Sequence, residues 1–154
     1  MTFTLAIVGS RSLERDKDAR FMAEGFAESA ILWADLVISG GARGVDTWAR
    51  EWAKELGRSF AEYPVTPKMY EAFGKSAPLN RNERIARECD EMLAFWDGKS
   101  TGTLHALRCA RNEGKRWKCL RWDGVKYHLV EDLTPRREKR NTQKPVKEQT
   151  ATDT

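Results

Sequence analysis

At 154 residues the chain is long enough for one buried core and too short for two ordinary ones. Hydrophobic residues at 40% and charged residues at 32% exclude a wholly disordered chain. The net charge of +4 is unevenly placed, with 21 Lys+Arg against 20 Asp+Glu in residues 1–134 and 6 against 3 in residues 135–154; this near-neutral body does not suit a sequence-independent duplex-DNA binder, which shows a basic stripe on its folded surface.

The segment Phe3 to Val8 is short, apolar and β-branched and ends at Gly9-Ser10-Arg11-Ser12, which predicts a buried strand and a loop. From Asp16 to about Trp33, Phe21, Met22, Phe26, Ala30 and Trp33 recur at helical spacing behind acidic first-turn residues, predicting an amphipathic helix. Leu36-Val37-Ile38 reads as a second strand, Gly40 to Gly44 as a turn, and Val45 to Leu56 as a helix capped by Gly57. Ser59 to Tyr63 is a third strand. Pro64, Pro67, Gly74 and Pro78 then break the periodicity, so a long loop is expected before a helix over Leu79 to Cys89. Met92 to Trp96 is a fourth strand, Asp97 to Thr103 a glycine-bearing turn, and Leu104 to Glu113 a helix capped by Gly114. Trp117 to Trp122 is a fifth strand, and Asp123-Gly124 before Val125 to Val130 fits a hairpin extension at the sheet edge.

Strands that are apolar throughout, alternating with helices, predict an α/β, doubly wound fold: a mainly parallel five-stranded sheet with helices on both faces. The expected organisation is one domain over residues 1–134 and a basic, disordered tail over 135–154, where Val146 and Ala151 are the only apolar side chains apart from prolines. Cys89, Cys109 and Cys119 lack CxxC spacing and have only His105 and His128 for company, so no metal site is expected. Without a basic n-region, a cleavage site or an apolar run of roughly 20 residues, the sequence reads as cytoplasmic with no membrane partner.

In an open parallel sheet, ligands collect outside the carboxyl ends of the strands where the strand order reverses. Three loops are expected there: Gly9 to Ser12, Ser39 to Asp46 and Asp97 to Thr103. Each precedes a helix whose first amides lack intrahelical partners and carry partial positive charge, a geometry that binds phosphate. Ser39-Gly40-Gly41-Ala42-Arg43-Gly44 misses the dinucleotide fingerprint by one glycine, and the Gly-Lys-Ser triplets at 74–76 and 98–100 have Met69 and Leu93 where a Walker A loop needs glycine. The plain alternative for the Gly40 to Gly44 turn is a ligand-free strand-to-helix connection; Arg43, unfavourable beside a helix N-terminus unless an anion intervenes, argues for a ligand. Ser100, Thr101 and Thr103 fit N-capping or hydroxyl contacts to phosphate. Asp46 fits a first-turn carboxylate or an acceptor for a ribose hydroxyl. From spacing alone Arg81 and Asn82 read as a solvated first turn and His105 as a helix-surface residue, while Trp96 is either core or a platform for a base.

Val8-Gly9-Ser10-Arg11, Ser39 to Asp46, Arg81-Asn82, and Phe95-Trp96-Asp97-Gly98-Lys99-Ser100-Thr101-Gly102-Thr103 together resemble the SLOG superfamily, and within it the YspA/YpsA-like group of small Rossmann-like proteins, over about residues 4–121. The resemblance implies a nucleotide-derived ligand, such as an ADP-ribose or NAD-like compound, between the second- and fourth-strand loops, often in a homodimer or larger homo-oligomer. No cofactor is expected. The ligand-binding set it carries over is Gly9, Ser10, Arg11, Gly40, Gly41, Ala42, Arg43, Gly44, Asp46, Lys75, Arg81, Asn82, Trp96, Asp97, Gly98, Ser100, Thr101, Gly102 and Thr103. The related LOG phosphoribohydrolases, which cleave an N-glycosidic bond, carry a glutamate where this chain has Ala106, which leaves Asp46 and Asp97 as candidate catalytic carboxylates. Relatives also often carry a second glycine between Lys75 and Arg81 that is absent here. The Ser39 to Asp46 run further resembles the Rossmann-like domain of the DNA-processing protein A family, which binds single-stranded DNA. That is the rival reading, and the neutral body does not favour it. A binder or sensor is expected ahead of an enzyme; catalysis would be hydrolysis of a nucleotide N-glycosidic or phosphate bond.

Overall fold

The sheet has six strands. In the computed structural model, which describes residues 2–134, β1 (Thr4–Gly9), β2 (Leu36–Ser39), β3 (Ser59–Glu62), β4 (Glu91–Trp96) and β5 (Arg116–Trp122) are parallel, and β6 (Tyr127–Val130) runs antiparallel to β5. The order is β3-β2-β1-β4-β5-β6. The sheet therefore exceeds the expected five strands by one, and the extra strand is the hairpin that Asp123-Gly124 announces. The expected tail, 135–154, lies outside the described residues.

Alternate strand residues feed two cores. Leu5 and Ile7 of β1, with Leu93, Phe95, Leu120 and Trp122, pack beneath α1 (Lys17–Trp33) and α2 (Val45–Glu55). Ala6 and Val8, with Ile38, Met92, Ala94 and Cys119, pack against α4 (Ala77–Glu88) and α5 (Thr101–Asn112) on the other face. Trp48 and Trp52 are buried in the first core, as their i, i+4 spacing suggests. Cys119 is buried and Cys109 half-buried.

The stretch expected as a long loop is helical instead. Thr66 accepts a hydrogen bond from the Met69 amide (3.2 Å) and Pro67 opens α3 (Pro67–Phe73), which Gly74 closes. Pro78 then sits in the first turn of α4. The prolines and glycine that break apolar periodicity are helix punctuation here: proline suits a first turn, where its missing N–H has no partner to lose. Similarly, α5 begins at Thr101 instead of Leu104, because Ser100 caps it and accepts from the Thr103 amide at 3.4 Å.

β1 approaches α2 closely at Gly9. A Cβ there would fall 2.5 Å from Val45 Cγ2 and collide with the Phe95 carbonyl oxygen. Gly25, in the middle of α1, has nothing within 4 Å of where its Cβ would be. Gly9→Ala is therefore expected to lose about 1–3 kcal/mol of stability through overpacking, while Gly25→Ala gains about 0.5–1 kcal/mol from helix propensity. Urea denaturation of the two variants beside the parent checks both signs.

Candidate functional site

The strand order reverses between β1 and β4: from β1 the chain travels outward to β2 and β3, then returns to the far side of β1. At the carboxyl ends of this pair, the three loops expected from sequence meet the first turns of α4 around a cleft of about 430 Å³. A cleft at this topological position is where an open α/β sheet binds its ligands.

Ser10 closes the junction. It is buried, its amide donates to the Phe95 carbonyl (3.1 Å), and its hydroxyl accepts from the Asp97 amide (3.0 Å) and lies 3.4 Å from Thr103 Oγ1. Asp97 completes the loop: one carboxylate oxygen accepts from the Lys99 and Ser100 amides (2.8 and 2.7 Å) and the other from the Ser12 hydroxyl (2.6 Å). Partial burial pushes its pKa up, but these donors outweigh burial and hold it below the ordinary carboxylate value. Asp97 is thus an ionised loop organiser with both oxygens engaged.

Asp46 sits in a different environment. It is buried in the first turn of α2, and burial raises its pKa above the ordinary value against the Ser39 hydroxyl, the Ala42 amide (2.9 Å to Oδ2) and the Arg81 charge. Arg81, on α4, donates Nη1–H to the Gly40 carbonyl (2.5 Å) and the Tyr63 carbonyl (3.3 Å), and Nε–H to Asn82 Oδ1 (3.0 Å). Burial lowers its pKa and Asp46 partly restores it. A Cβ on Gly40 would fall 2.6 Å from Arg81 Nη1 and 3.1 Å from Asp46 Oδ2, so glycine at this position is what admits the guanidinium.

Of the expected site residues, Gly9, Arg11, Gly40, Ala42, Asp46, Arg81, Asn82, Asp97, Ser100, Gly102 and Thr103 line the cleft. Ser10 lies beneath it as a latch, and Thr101 contributes its position at the start of α5. Gly41 and Gly44 shape the turn at positive φ without lining the cleft, and a Cβ on Gly41 would meet Glu62. Arg43 points away: its anion is Glu14, 3.8 Å off, at an exposed site. Lys75 lies on an exposed 3-10 turn outside the lining. Trp96 and Gly98 border a neighbouring cleft, and the Trp96 indole donates to the Ser100 carbonyl (2.9 Å) instead of facing the ligand space.

Sequence reasoning missed Ser12 and the apolar lining of Pro78, Leu79, Ile85 and Ala106. On α4 the set 78, 82 and 85 has helical spacing, a signal hidden by reading residues 64–78 as a loop. His105 also has a role: its Nδ1 lies 3.2 Å from Asn82 Nδ2, holding that side chain toward the Gly102 carbonyl (3.4 Å). Burial depresses the His105 pKa.

Residues 2–62 match the family model of DNA recombination-mediator protein A. The chain superposes on DNA processing protein A from Streptococcus pneumoniae with a TM-score of 0.65 at 21% identity, covering 80% of this chain and 53% of that one. The fold is Rossmann-like. DNA processing protein A from Helicobacter pylori gives 0.58 at 19% identity over 82% of this chain and 68% of that one. The Moco carrier protein from Chlamydomonas reinhardtii gives 0.54 at 15% over 77% and 76%. Gene 61 protein of Mycobacterium phage D29 is 39% identical over 84 residues, 51% of this chain and 66% of that protein. The chain thus spans only part of several of these relatives. Among the described residues, no helix is long and apolar enough to cross a membrane, and no group of side chains could hold a metal ion.

The raised pKa of Asp46 sets a pH dependence. Between the ordinary value of 3.8 and the higher folded value, the folded state binds the proton more tightly than the unfolded chain. The contribution of Asp46 is therefore fully present below 3.8 and is lost as pH rises through the folded pKa. Asp46→Asn should remove this dependence, so the stability of the parent minus that of the variant should fall as pH is raised from 4 to 8, followed by urea denaturation.

Proposed function

We propose that the cleft binds a phosphorylated, nucleotide-derived ligand and that the protein acts as a binder or sensor of it. The observation that carries this reading is the entrance of α5. The Thr101 and Gly102 amides have no hydrogen-bond partner among the described residues, and Gly102 opens onto the cleft beside the Ser100 and Thr103 hydroxyls and the cations Arg11 and Arg81. Such amides, with the partial positive charge of a helix N-terminus, suit a phosphate. Arg81 is already fixed by two carbonyls, so little side-chain freedom is lost on binding. Asp46 is placed to accept from a ribose hydroxyl, and Leu79, Ile85 and Ala106 offer an apolar surface for the uncharged part of the ligand.

Binding stands ahead of turnover because the two carboxylates are unequal. Asp97 spends both oxygens on its own loop, and the glutamate of the phosphoribohydrolases is Ala106 here. Asp46 alone would serve a hydrolytic step, and chromatography of recovered ligand separates the cases: unchanged nucleotide supports the binder, a free base the glycosidase.

The comparisons favour one further reading, in which the ligand is a nucleotide unit within single-stranded DNA. The Helicobacter pylori relative is described by its single-stranded DNA binding mode, and the phosphodiester would use the same amides and arginines. Oligonucleotide affinity that falls steeply with salt, with no response to mononucleotides, would establish this reading.

Gly102→Asp separates site from scaffold. Nothing lies within 4 Å of its Cβ, and a carboxylate in the first turn of a helix is itself stabilising, so folding should persist. Thermal-shift titration with nucleoside monophosphates, dinucleotides and ADP-ribose should show at least one stabilising ligand. A ligand at 100 times its Kd adds about 2.7 kcal/mol, and the variant should weaken that affinity by at least tenfold. Unaltered affinity in a folded Gly102→Asp protein would place the ligand elsewhere.

A further inference from the structure

A second cleft, of about 630 Å³, opens on the other side of the loop that joins β4 to α5, between that loop, β5 and the segment 130–134. Asp97 belongs to the walls of both clefts, and the first turns of α5 stand between them: Gly102, Thr103 and Ala106 line the first cleft, Leu104 the second. The second cleft has an apolar floor and two free cations. Trp96, Leu104, Val130 and Leu133 belong to one packed cluster there, and the half-buried Trp96 ring is fixed by its donation to the Ser100 carbonyl. Lys99 and Arg121, the latter beside Trp96 in the sheet register, make no ion pair or side-chain hydrogen bond among the described residues. Gly98, at φ 82°, lets the turn lie directly on the arginine stem, since a Cβ there would fall 3.1 Å from Arg121 Cδ. Besides Asp97, which is committed to its loop, the one acidic residue in the lining is Asp132, whose Oδ1 accepts from the Thr134 amide (2.8 Å).

We infer that this cleft holds a second nucleoside, so that the ligand is a pair of nucleosides joined through phosphate, with the phosphate at the α5 entrance and one nucleoside in each cleft. The inference rests on the phosphate site of the proposed function and extends it across the same helix entrance. Three features select that occupant. First, a phosphate on the Thr101 and Gly102 amides lies on the ridge between the clefts, and only a phosphate esterified on both sides sends a group into each. Second, an indole set among aliphatic side chains suits the flat, apolar face of a base, and stacking of this kind tolerates any base. Third, Lys99 and Arg121 bring uncommitted charge and donors to the side of the loop away from Arg11 and Arg81, which suits an anionic link with oxygen-bearing groups on both sides. An uncharged apolar occupant would desolvate Arg121 and supply no anion in exchange. A dinucleotide step of a single strand and a dinucleoside pyrophosphate share this chemistry.

Calorimetric titration of the full chain tests this with the four homodinucleotides d(NpN) and with diadenosine pyrophosphate. Each is measured beside the mononucleoside methyl ester of the same charge, so that the pair differs only in the second nucleoside. At least one two-nucleoside ligand should bind about tenfold or more tighter than its methyl ester, the contribution of one stacked base. Arg121→Gln and Leu104→Gln should each bring that ratio close to one and leave the affinity of the methyl ester unchanged, whereas Gly102→Asp should weaken both ligands alike. Lys99→Glu, at an exposed position, should lower the same ratio and serves if either variant loses its far-ultraviolet circular dichroism. A gain confined to the diesters identifies a strand as the source, and a gain confined to the pyrophosphate a small dinucleotide. Methyl esters that bind while the second nucleoside adds nothing, as it would if residues 135–154 filled the second cleft, or a gain indifferent to these substitutions, would overturn this inference and leave the phosphate site of the first cleft standing. Binding by none of these compounds would overturn both.

Discussion

The parallel pairing of β1 with β4, and the way Ser10 seals its carboxyl end, governs the rest of the molecule. Gly9 permits the close approach of β4 and α2, and Ser10 then joins two loops that are 87 residues apart in sequence through the Asp97 amide. A buried hydroxyl left without partners costs more than a made hydrogen bond contributes, so this latch is a constraint on geometry before it is a source of stability. Once it is closed, the α2 and α5 entrances face the same space. The cleft is a consequence of topology, and the loop residues adjust its chemistry.

That chemistry rests on holding two carboxylates in unlike environments. Two aspartates border the cleft, one held ionised by the Ser12, Lys99 and Ser100 donors and one whose pKa burial raises, while Arg81 is held half-buried between backbone carbonyls. With Asp97 committed to its loop, the charge left to meet a ligand is that of Arg11 and Arg81 tempered by Asp46. Under the proposed function, that balance suits a phosphate that carries charge sparingly, such as a diester or pyrophosphate flanked by sugars, better than a cluster of dianions. The same preference lets the small-molecule and single-strand readings share one set of contacts.

Much of this was legible in the sequence because it depends on local rules. Apolar strands ending in glycine, followed by capped helices, fixed the alternation and hence the sheet edge at which the loops meet. What could not be read was directional. Arg43 sits next to a helix start just as a ligand-binding arginine would, but nothing in its spacing says that Glu14 neutralises it. Trp96 ends its strand beside the cleft, yet the pleat turns the indole toward Ser100. Residues 64–78 failed for another reason: proline and glycine read as breakers unless the cap Thr66 is recognised, and starting the following helix at Leu79 left Pro78 off the face of α4 that carries Asn82 and Ile85 into the site. The exposed aromatics of α1 were visible as an apolar stripe, but only the structure separates the stripe that packs from the stripe that does not.

The segment Ser10 to Asp16 connects these two regions mechanically. It begins at the latch, presents Arg11 and Ser12 to the cleft, buries Leu13, and ends at Asp16, which accepts from the Ala19 amide at 3.0 Å to cap α1 and from the Trp122 indole at 3.0 Å. Both ends are pinned to the sheet, at β4 through Ser10 and at β5 through Trp122, so the short 3-10 turn between them has little room to move independently of either. Small side chains on the inner face of α1 let that helix lie close on the sheet, so the cap at Asp16 and the buried Leu13 fix where Arg11 enters the cleft.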